Sequence, residues 1–402
     1  MNPVVYAVAT MDTKGDELAF VAECLRHAGV PVKTVDVGTH SDPTVIPDVS
    51  RERVLGDGTL PSGNDRGACV TAMGEGLATW LQNECLAHRV AGVIGLGGSG
   101  GTALVTAAMR TLPIGLPKLM VSTMASGNMA PYVDCSDITM MYSVVDVAGL
   151  NVVSEKIFSN AAHAMAGMVS HNLAAAETRP ALGMTMFGVT TPCVTTVRTT
   201  LEAKGYDCLV FHATGSGGRA MEQLVHSGFI CGVLDVTTTE VADEVVGGVL
   251  PAGPDRFEKL LTSGVPLVLS VGALDMVNFG AIETVPEQFR KRLLHVHNAQ
   301  VTLMRTNELE NRAIAHWIAE KLNQSTAPLT LLIPEGGVSM LDAPEQPFHD
   351  PDVNAVLFEE LEQEIQQTSE RQVIRLPHHI NDPEFAEALV KQFEILCSAD
   401  TQ

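Results

Sequence analysis

The run from Val93 to Met109, VIGLGGSGGTALVTAAM, constrains the fold more than any other part of the chain. A strand-like apolar stretch enters a loop with five glycines among seven residues and leaves into an Ala-rich stretch that reads as a helix. A strand that turns through glycines straight into a helix is the building unit of parallel α/β sheets. Without Cβ atoms at Gly95, Gly97, Gly98, Gly100 and Gly101, backbone can approach a ligand closely, and the first turn of the helix directs free N–H groups toward negative charge. Gly97, Gly98, Ser99, Gly100, Gly101 and Thr102 are therefore expected to form a phosphate or carboxylate cradle. The alternative is a tight strand-to-helix turn with no ligand.

Two familiar versions of such a loop do not fit. Gly95, Gly97 and Gly100 match G-x-G-x-x-G, but the acidic residue that would hold a ribose about 20 residues later is missing, since Lys118 to Thr123 contains none. No Gly-Lys-Ser/Thr follows at P-loop spacing either. A nicotinamide-dependent dehydrogenase is disfavoured on the first ground.

A chain of 402 residues exceeds what one hydrophobic core usually supports, and 46% apolar residues supply enough material for buried sheets. A formal charge of −22 argues against a nucleic-acid partner, because binding a phosphodiester backbone needs clustered Lys and Arg. Eight cysteines without a CxxC pair point to reduced thiols and a cytoplasmic location. The N-terminus lacks a basic segment before its short apolar run, so it does not read as a signal peptide, and no run approaches the roughly 20 apolar residues of a membrane span.

In chain order, Val4 to Thr10 reads as a strand, Asp16 to Gly29 as a helix with Leu18, Val21, Ala22 and Leu25 on one face, and Val32 to Thr39 as a second strand. Thr10, Asp12, Thr13 and Lys14 stand at the carboxyl end of the first strand, where open α/β sheets place ligands. They offer hydroxyls, a carboxylate for a Mg²⁺ ion and a phosphate-pairing ammonium. The plainer reading is a helix cap and a solvated lysine. Ser41 to Asp65 is long enough to be a lid or an interface arm. Arg66 to His88 reads as a helix, and Pro117 to Thr123 as a strand that ends in Met124 to Asn128. With a parallel sheet, Thr10 to Lys14, Gly97 to Thr102 and the segment holding Ser126 and Gly127 share one rim. Asp137 to Asp146 reads as a further strand, with Asp134, Asp137 and Asp146 as weak metal candidates. Asn151 to Asn172 reads as a helix, and the break at Pro180 divides the chain into an N-terminal domain, 1–178, and a C-terminal domain, 179–402.

The second half repeats the first. A strand over Asp207 to Thr214 runs into Gly215-Ser216-Gly217-Gly218-Arg219, read as a second anion cradle, so two Rossmann-like α/β domains with mostly parallel sheets are expected. His212, Arg219, Glu240, Asp275, Asn278, His295 and His297 make a polar set suited to catalysis. In it Arg219 would hold an anionic group, Glu240 or a histidine would act as base, and Asp275 would orient it. His295 and His297 fall on one face if that run is extended. The plainer reading is a pair of satisfied structural histidines.

ATMDTKGDE, GLGGSGGT, VSTMASG, FHATGSGGRAME, LDVTTTEVADE, GALDMVNFG and HVHN…VTLMRT occur in that order across nearly the whole chain. Together they resemble the Tm-one-like ATP-binding domain family, which includes bacterial proteins and the N-terminal region of a plant tobamovirus-resistance protein. The resemblance implies two Rossmann-like domains, a homo-oligomer and ATP bound by the N-terminal domain. The residues placed at the nucleotide, with Mg²⁺ as a companion, are Thr10, Asp12, Thr13, Lys14, Gly97 to Thr102, Ser126 and Gly127. An ATP-binding protein acting on a small carbonyl or carboxylate metabolite in the cleft between the domains is the expected function. The alternative is a regulatory or scaffold protein that binds nucleotide without turning it over.

Overall fold

The computed structural model describes residues 3–61, 65–170 and 179–399. The chain divides into two compact units, Met1–Ala176 and Glu177–Gln402. The expected lid residues 62–64, the end of the long helix at 171–172 and the boundary residues 173–178 lie outside the described residues.

In the first unit, β1 (Val4–Ala9) leads into α1 (Met11–His27) and β2 (Val32–Asp36). Then come α2 (Arg51–Leu55), α3 (Arg66–Leu86), β3 (Val90–Gly97), α4 (Ser99–Met109), β4 (Lys118–Ser122), α5 (Ala130–Val133), β5 (Thr139–Tyr142) and α6 (Val152–Ser170). The five strands pair in parallel in the order β2-β1-β3-β4-β5. The alternation of β1 explains why both faces must be covered. Val5, Ala7 and Ala9 pack with Leu18, Val21 and Leu25 of α1 and Phe158 and Met165 of α6, whereas Tyr6 and Val8 pack with Met73 and Leu77 of α3 and Leu104 and Val105 of α4. Each fully buried Val, Leu, Phe or Met side chain among these contributes about 1.5–3 kcal/mol. Gly95 serves this packing, because a Cβ there would lie 2.6 Å from Met120 Sδ and 2.7 Å from Val105 Cγ1. The strand expected over Asp137–Asp146 shrinks to β5, because Val144 adopts φ 63, a conformation that a β-branched residue in a strand cannot keep.

The second unit contains β6 (Ala181–Met186), α7 (Thr191–Ala203), β7 (Asp207–His212), α8 (Ser216–His226), β8 (Ile230–Thr237), α9 (Thr239–Val246), α10 (Glu258–Leu261) and β9 (Leu267–Gly272). It continues with β10 (Met276–Phe279), β11 (Leu294–Asn298), β12 (Val301–Arg305), α11 (Glu308–Leu322), β13 (Leu329–Pro334), α12 (Pro351–Glu364), β14 (Arg371–Leu376) and α13 (Pro383–Ala399). Its six-stranded sheet, β14-β13-β9-β8-β6-β7, is parallel throughout. Read from β7, the second, first, third and fourth strands of the unit stand side by side, as they do in the first unit. Each sheet therefore changes direction between its first and third strands, the place where such folds bind ligands. A three-stranded antiparallel sheet, β10-β12-β11, is added between β9 and α11.

This topology corrects the expected equivalence of the two glycine loops. The first follows β3, at the point where strand order reverses; the second follows β7, the edge strand of its sheet.

Candidate functional site

The rim of the first unit is assembled by the carboxyl ends of β1, β3 and β4, which the parallel register brings to one edge. Two helices start there. Helix α4 begins beyond Gly98, which carries no capping side chain, and its first turn has no acidic residue. The amides of that turn therefore have no side-chain oxygen in front of them. Among the described residues, a Cβ at Gly98 would approach nothing closer than Thr123 Oγ1 at 3.9 Å, and one at Gly100 nothing closer than an Arg66 guanidinium nitrogen at 3.8 Å. The cradle thus has room above it and a cation beside it. Arg66 is exposed at the start of α3, and sequence spacing does not connect it with the glycines because the two meet only through space.

The other glycines and Thr102 serve the scaffold. A Cβ at Gly97 would lie 3.0 Å from backbone atoms of Gly101 and Thr102, so Gly97 allows strand and helix to touch. Thr102 is fully buried, its hydroxyl 2.6 Å from Ser122 Oγ and its amide bonded to the Gly98 carbonyl at 2.8 Å. Gly101 belongs to the first turn of α4. Ser126 and Gly127 sit exposed in the turn after β4, closed by the Gly127 amide on the Met124 carbonyl.

At the end of β1, Thr10 precedes α1 without a side-chain cap bond, and Lys14, half-buried, breaks the helical path with φ −130 and ψ 21. The Thr10 and Thr13 hydroxyls are 3.3 Å apart. Asp12 braces the chain nearby, its Oδ2 accepting the amides of His40 at 3.1 Å and Ser41 at 3.5 Å. The acid absent downstream of the first glycine loop stands elsewhere. Asp36 ends β2, the strand on which dinucleotide folds carry their ribose acid. It is buried and already accepts Met11 N at 3.0 Å, Gly38 N at 2.8 Å and Arg51 Nε at 3.1 Å. Counting 20 residues on from the glycines reaches the wrong strand, because the loop follows the third strand rather than the first.

The second glycine loop already contains an anion. The Gly215 amide donates to Glu240 Oε2 at 2.7 Å, and a Cβ at Gly218 would lie 2.0 Å from Glu240 Oε1. Glu240 is held in turn by Arg256, a fully buried guanidinium whose Nε meets Glu240 at 2.6 Å, with Glu222 at 2.8 Å and Asp235 at 2.7 Å on its other nitrogens. Burial raises the pKa of both Glu222 and Glu240, with Arg256 opposing the shift. Burial alone would lower the Arg256 pKa, but the surrounding carboxylates hold it well above the ordinary value.

The expected polar set of the second unit is therefore divided. Glu240 belongs to this ion cluster. Asn278 donates its amide and Nδ2 to Asp243 Oδ1 at 2.7 and 3.1 Å, and burial pushes Asp243 up to about 7. Asp275 is buried against Ser339 at 2.8 Å. His212, the last residue of β7, and Arg219, in the first turn of α8, are exposed; His212 packs its ring edge-on to Phe187, and Arg219 Nε reaches the Gly215 carbonyl at 3.3 Å. His295 and His297 both lie on β11, but the ladder shifts register between Val296 and Asn298, so the simple alternation behind the one-face expectation is interrupted at His297; His295 is half-buried against the Phe348 ring and His297 is exposed. Asp137 is tied to Lys118 at 2.6 Å, and among the described residues no cluster of three or more His, Cys, Asp or Glu is placed to hold a metal ion. No described helix is long and apolar enough to cross a membrane.

Comparison with known proteins agrees with the two-part organisation. Residues 3–174 match the N-terminal domain, and residues 179–397 the C-terminal domain, of the uncharacterised protein family UPF0261. A UPF0261 protein of Rhizobium meliloti (strain 1021) is 54% identical over 97% of this chain and 98% of its own length. One from Clostridium tetani (strain Massachusetts / E88) is 46% identical over 98% of each chain. The ToMV resistance protein Tm-1(GCR237) of Solanum lycopersicum is 47% identical over 98% of this chain, which spans 55% of the tomato protein. The chain belongs to the UPF0261 family.

Proposed function

We propose that the first unit binds a phosphate-bearing nucleotide, ATP being the expected ligand, at the reversal point between β1 and β3. The observation that carries this reading is the uncapped start of α4, with open space above Gly98 and Gly100. Phosphate oxygens would meet the α4 amides, and Lys14 and Arg66 would supply positive charge from the two sides. Thr10, Thr13 and Ser126 are the hydroxyls within the same rim. The Asp12 carboxylate is the available oxygen ligand for a companion Mg²⁺, in competition with the amides it now accepts.

Burial of Glu240 and Asp275 supports binding without turnover over catalysis on a small carbonyl or carboxylate metabolite. A general base must reach its substrate, and neither carboxylate reaches the surface. His212, Arg219 and His297 are the exposed members left to a catalytic version.

The test is calorimetric titration of ATP into wild type and into Gly98→Val and Gly100→Val. A Cβ at either position meets no described atom closer than 3.8 Å, so folding is expected to persist while the ligand's place is filled. A loss of at least tenfold in affinity is expected; wild-type affinity in both variants would remove the cradle from the reading.

A further inference from the structure

Beyond the nucleotide site, the second unit holds a buried carboxyl with an unusual set of partners. Asp275, in the turn between β9 and β10, is 1% exposed; its Oδ2 accepts from Ser339 Oγ at 2.8 Å, and its Oδ1 is buried with no partner. The obvious countercharge is Arg305 on β12. That guanidinium spends its N–H groups on the carbonyls of Phe348, Asp275 and Asp350, on Thr306 Oγ1 and on Asn354 Oδ1. It faces a second buried acid as well, Asp342, at 4.0 Å. Two carboxyls thus look onto one arginine that makes no hydrogen bond to the Asp275 carboxylate. An ionised Asp275 would leave one charged oxygen unsatisfied in the interior, whereas a neutral carboxyl whose Oδ2–H turns to donate to Ser339 Oγ would leave only a carbonyl oxygen.

What Asp275 holds is the segment Gly336–Asp342 after β13. Ser339 Oγ takes the Leu341 amide, Asp342 Oδ2 takes the Val338 amide and Asn354 Nδ2, and Ala273 N bonds back to the Val338 carbonyl. We propose that the Asp275 carboxyl is a proton-gated latch on Gly336–Asp342, closing the segment when protonated and releasing it when ionised.

The charged and titratable groups around the latch set its direction. Arg305 on β12 favours ionisation, and Asp342 opposes it. His349, ahead of α12, has Nδ1 at 3.9 Å from Asp342 Oδ1, and the Asp350 amide reaches the same oxygen at 3.4 Å. After β14, His379 Nε2 meets the Ser339 carbonyl at 2.9 Å, and its amide is fixed by Asp382 at 2.7 Å. Burial is the dominant influence and pushes Asp275 up to about 7, with Arg305 acting against it and Asp342 with it. The folded carboxyl therefore binds its proton more tightly than the unfolded one. Its contribution to stability is full below the ordinary aspartate range near 3.8, declines as pH rises from there, and is lost once pH passes about 7.

Hydrogen exchange of the Val338, Leu341 and Asp342 amides, corrected for intrinsic rates, tests the latch in the full chain. In wild type the open population should grow by up to about tenfold per pH unit between about pH 4 and pH 7, the limit for one proton, and level off above pH 7. Asp275→Asn, neutral at every pH, should abolish that growth, while His349→Gln should retain it. A flat wild-type profile, or the same slope in Asp275→Asn, would overturn the proposal. Should Asp275→Asn fail to fold, infrared spectroscopy of wild type decides. A protonated-carboxyl band must lose intensity between pH 6 and pH 8.5, and a spectrum unchanged over that range would overturn the latch.

Discussion

The two glycine loops look alike in sequence and differ in what faces them. At GLGGSGGT the helix start is uncapped and space lies above Gly98 and Gly100; at ATGSGGR the corresponding space is filled by the carboxylate of Glu240, itself clasped by Arg256. Glycines at a strand-to-helix turn thus report that something approaches the backbone closely. They do not report whether it is a ligand or the chain's own side chain.

The comparison is broken most forcefully at Arg256. Replacing it by Met leaves Glu222, Asp235 and Glu240 buried without their shared cation, and a loss of about 3–5 kcal/mol is expected in denaturant unfolding. Wild-type stability in that variant would mean that the second loop has no internal occupant of consequence.

A gentler pair of changes sharpens the contrast between the loops. Gly218→Ala drives a methyl into Glu240 and should cost about 1–3 kcal/mol, even though alanine favours the helix by up to about 1 kcal/mol. Gly98→Ala meets open space and should change stability by less than about 0.5 kcal/mol. Equal effects in the two would erase the distinction between a filled and an open loop.

At Lys14 the expected effect is on binding and not on stability. Lys14→Met should leave the melting temperature unchanged and weaken ATP binding by about 1 kcal/mol, roughly fivefold, with the difference shrinking as salt is added. An affinity loss that is insensitive to salt would point to a packing role for the side chain.

Much of the fold is legible in the sequence because its signals are local. The alternation of apolar strands with amphipathic helices from Val4 onward and the break at Pro180 are properties of consecutive residues, and so is the turn through Gly97. The rim is legible for the same reason, since parallel strands bring their carboxyl ends together whatever their order. Strand order is not, and it decides that β3 rather than β7 stands at the reversal point. The partners that meet only through space are equally hidden. Nothing near Glu240 in the sequence announces Arg256, and nothing near Gly100 announces Arg66. The same holds for Ser339 and Asp275, whose hydrogen bond spans two loops of the sheet. Chemical type alone marks residues such as Glu240 and Asp275 as fit for catalysis. Burial, which type does not encode, removes both from the surface.

The carboxylate of Glu240 is covalently attached to the loop it fills, so its effective concentration there is set by the fold and not by the surrounding solution. No ordinary change in metabolite level can displace it, and the second loop is therefore insensitive to small-molecule supply. If the protein reports on a dissolved anion, the response has to arise at the first loop, where occupancy follows concentration.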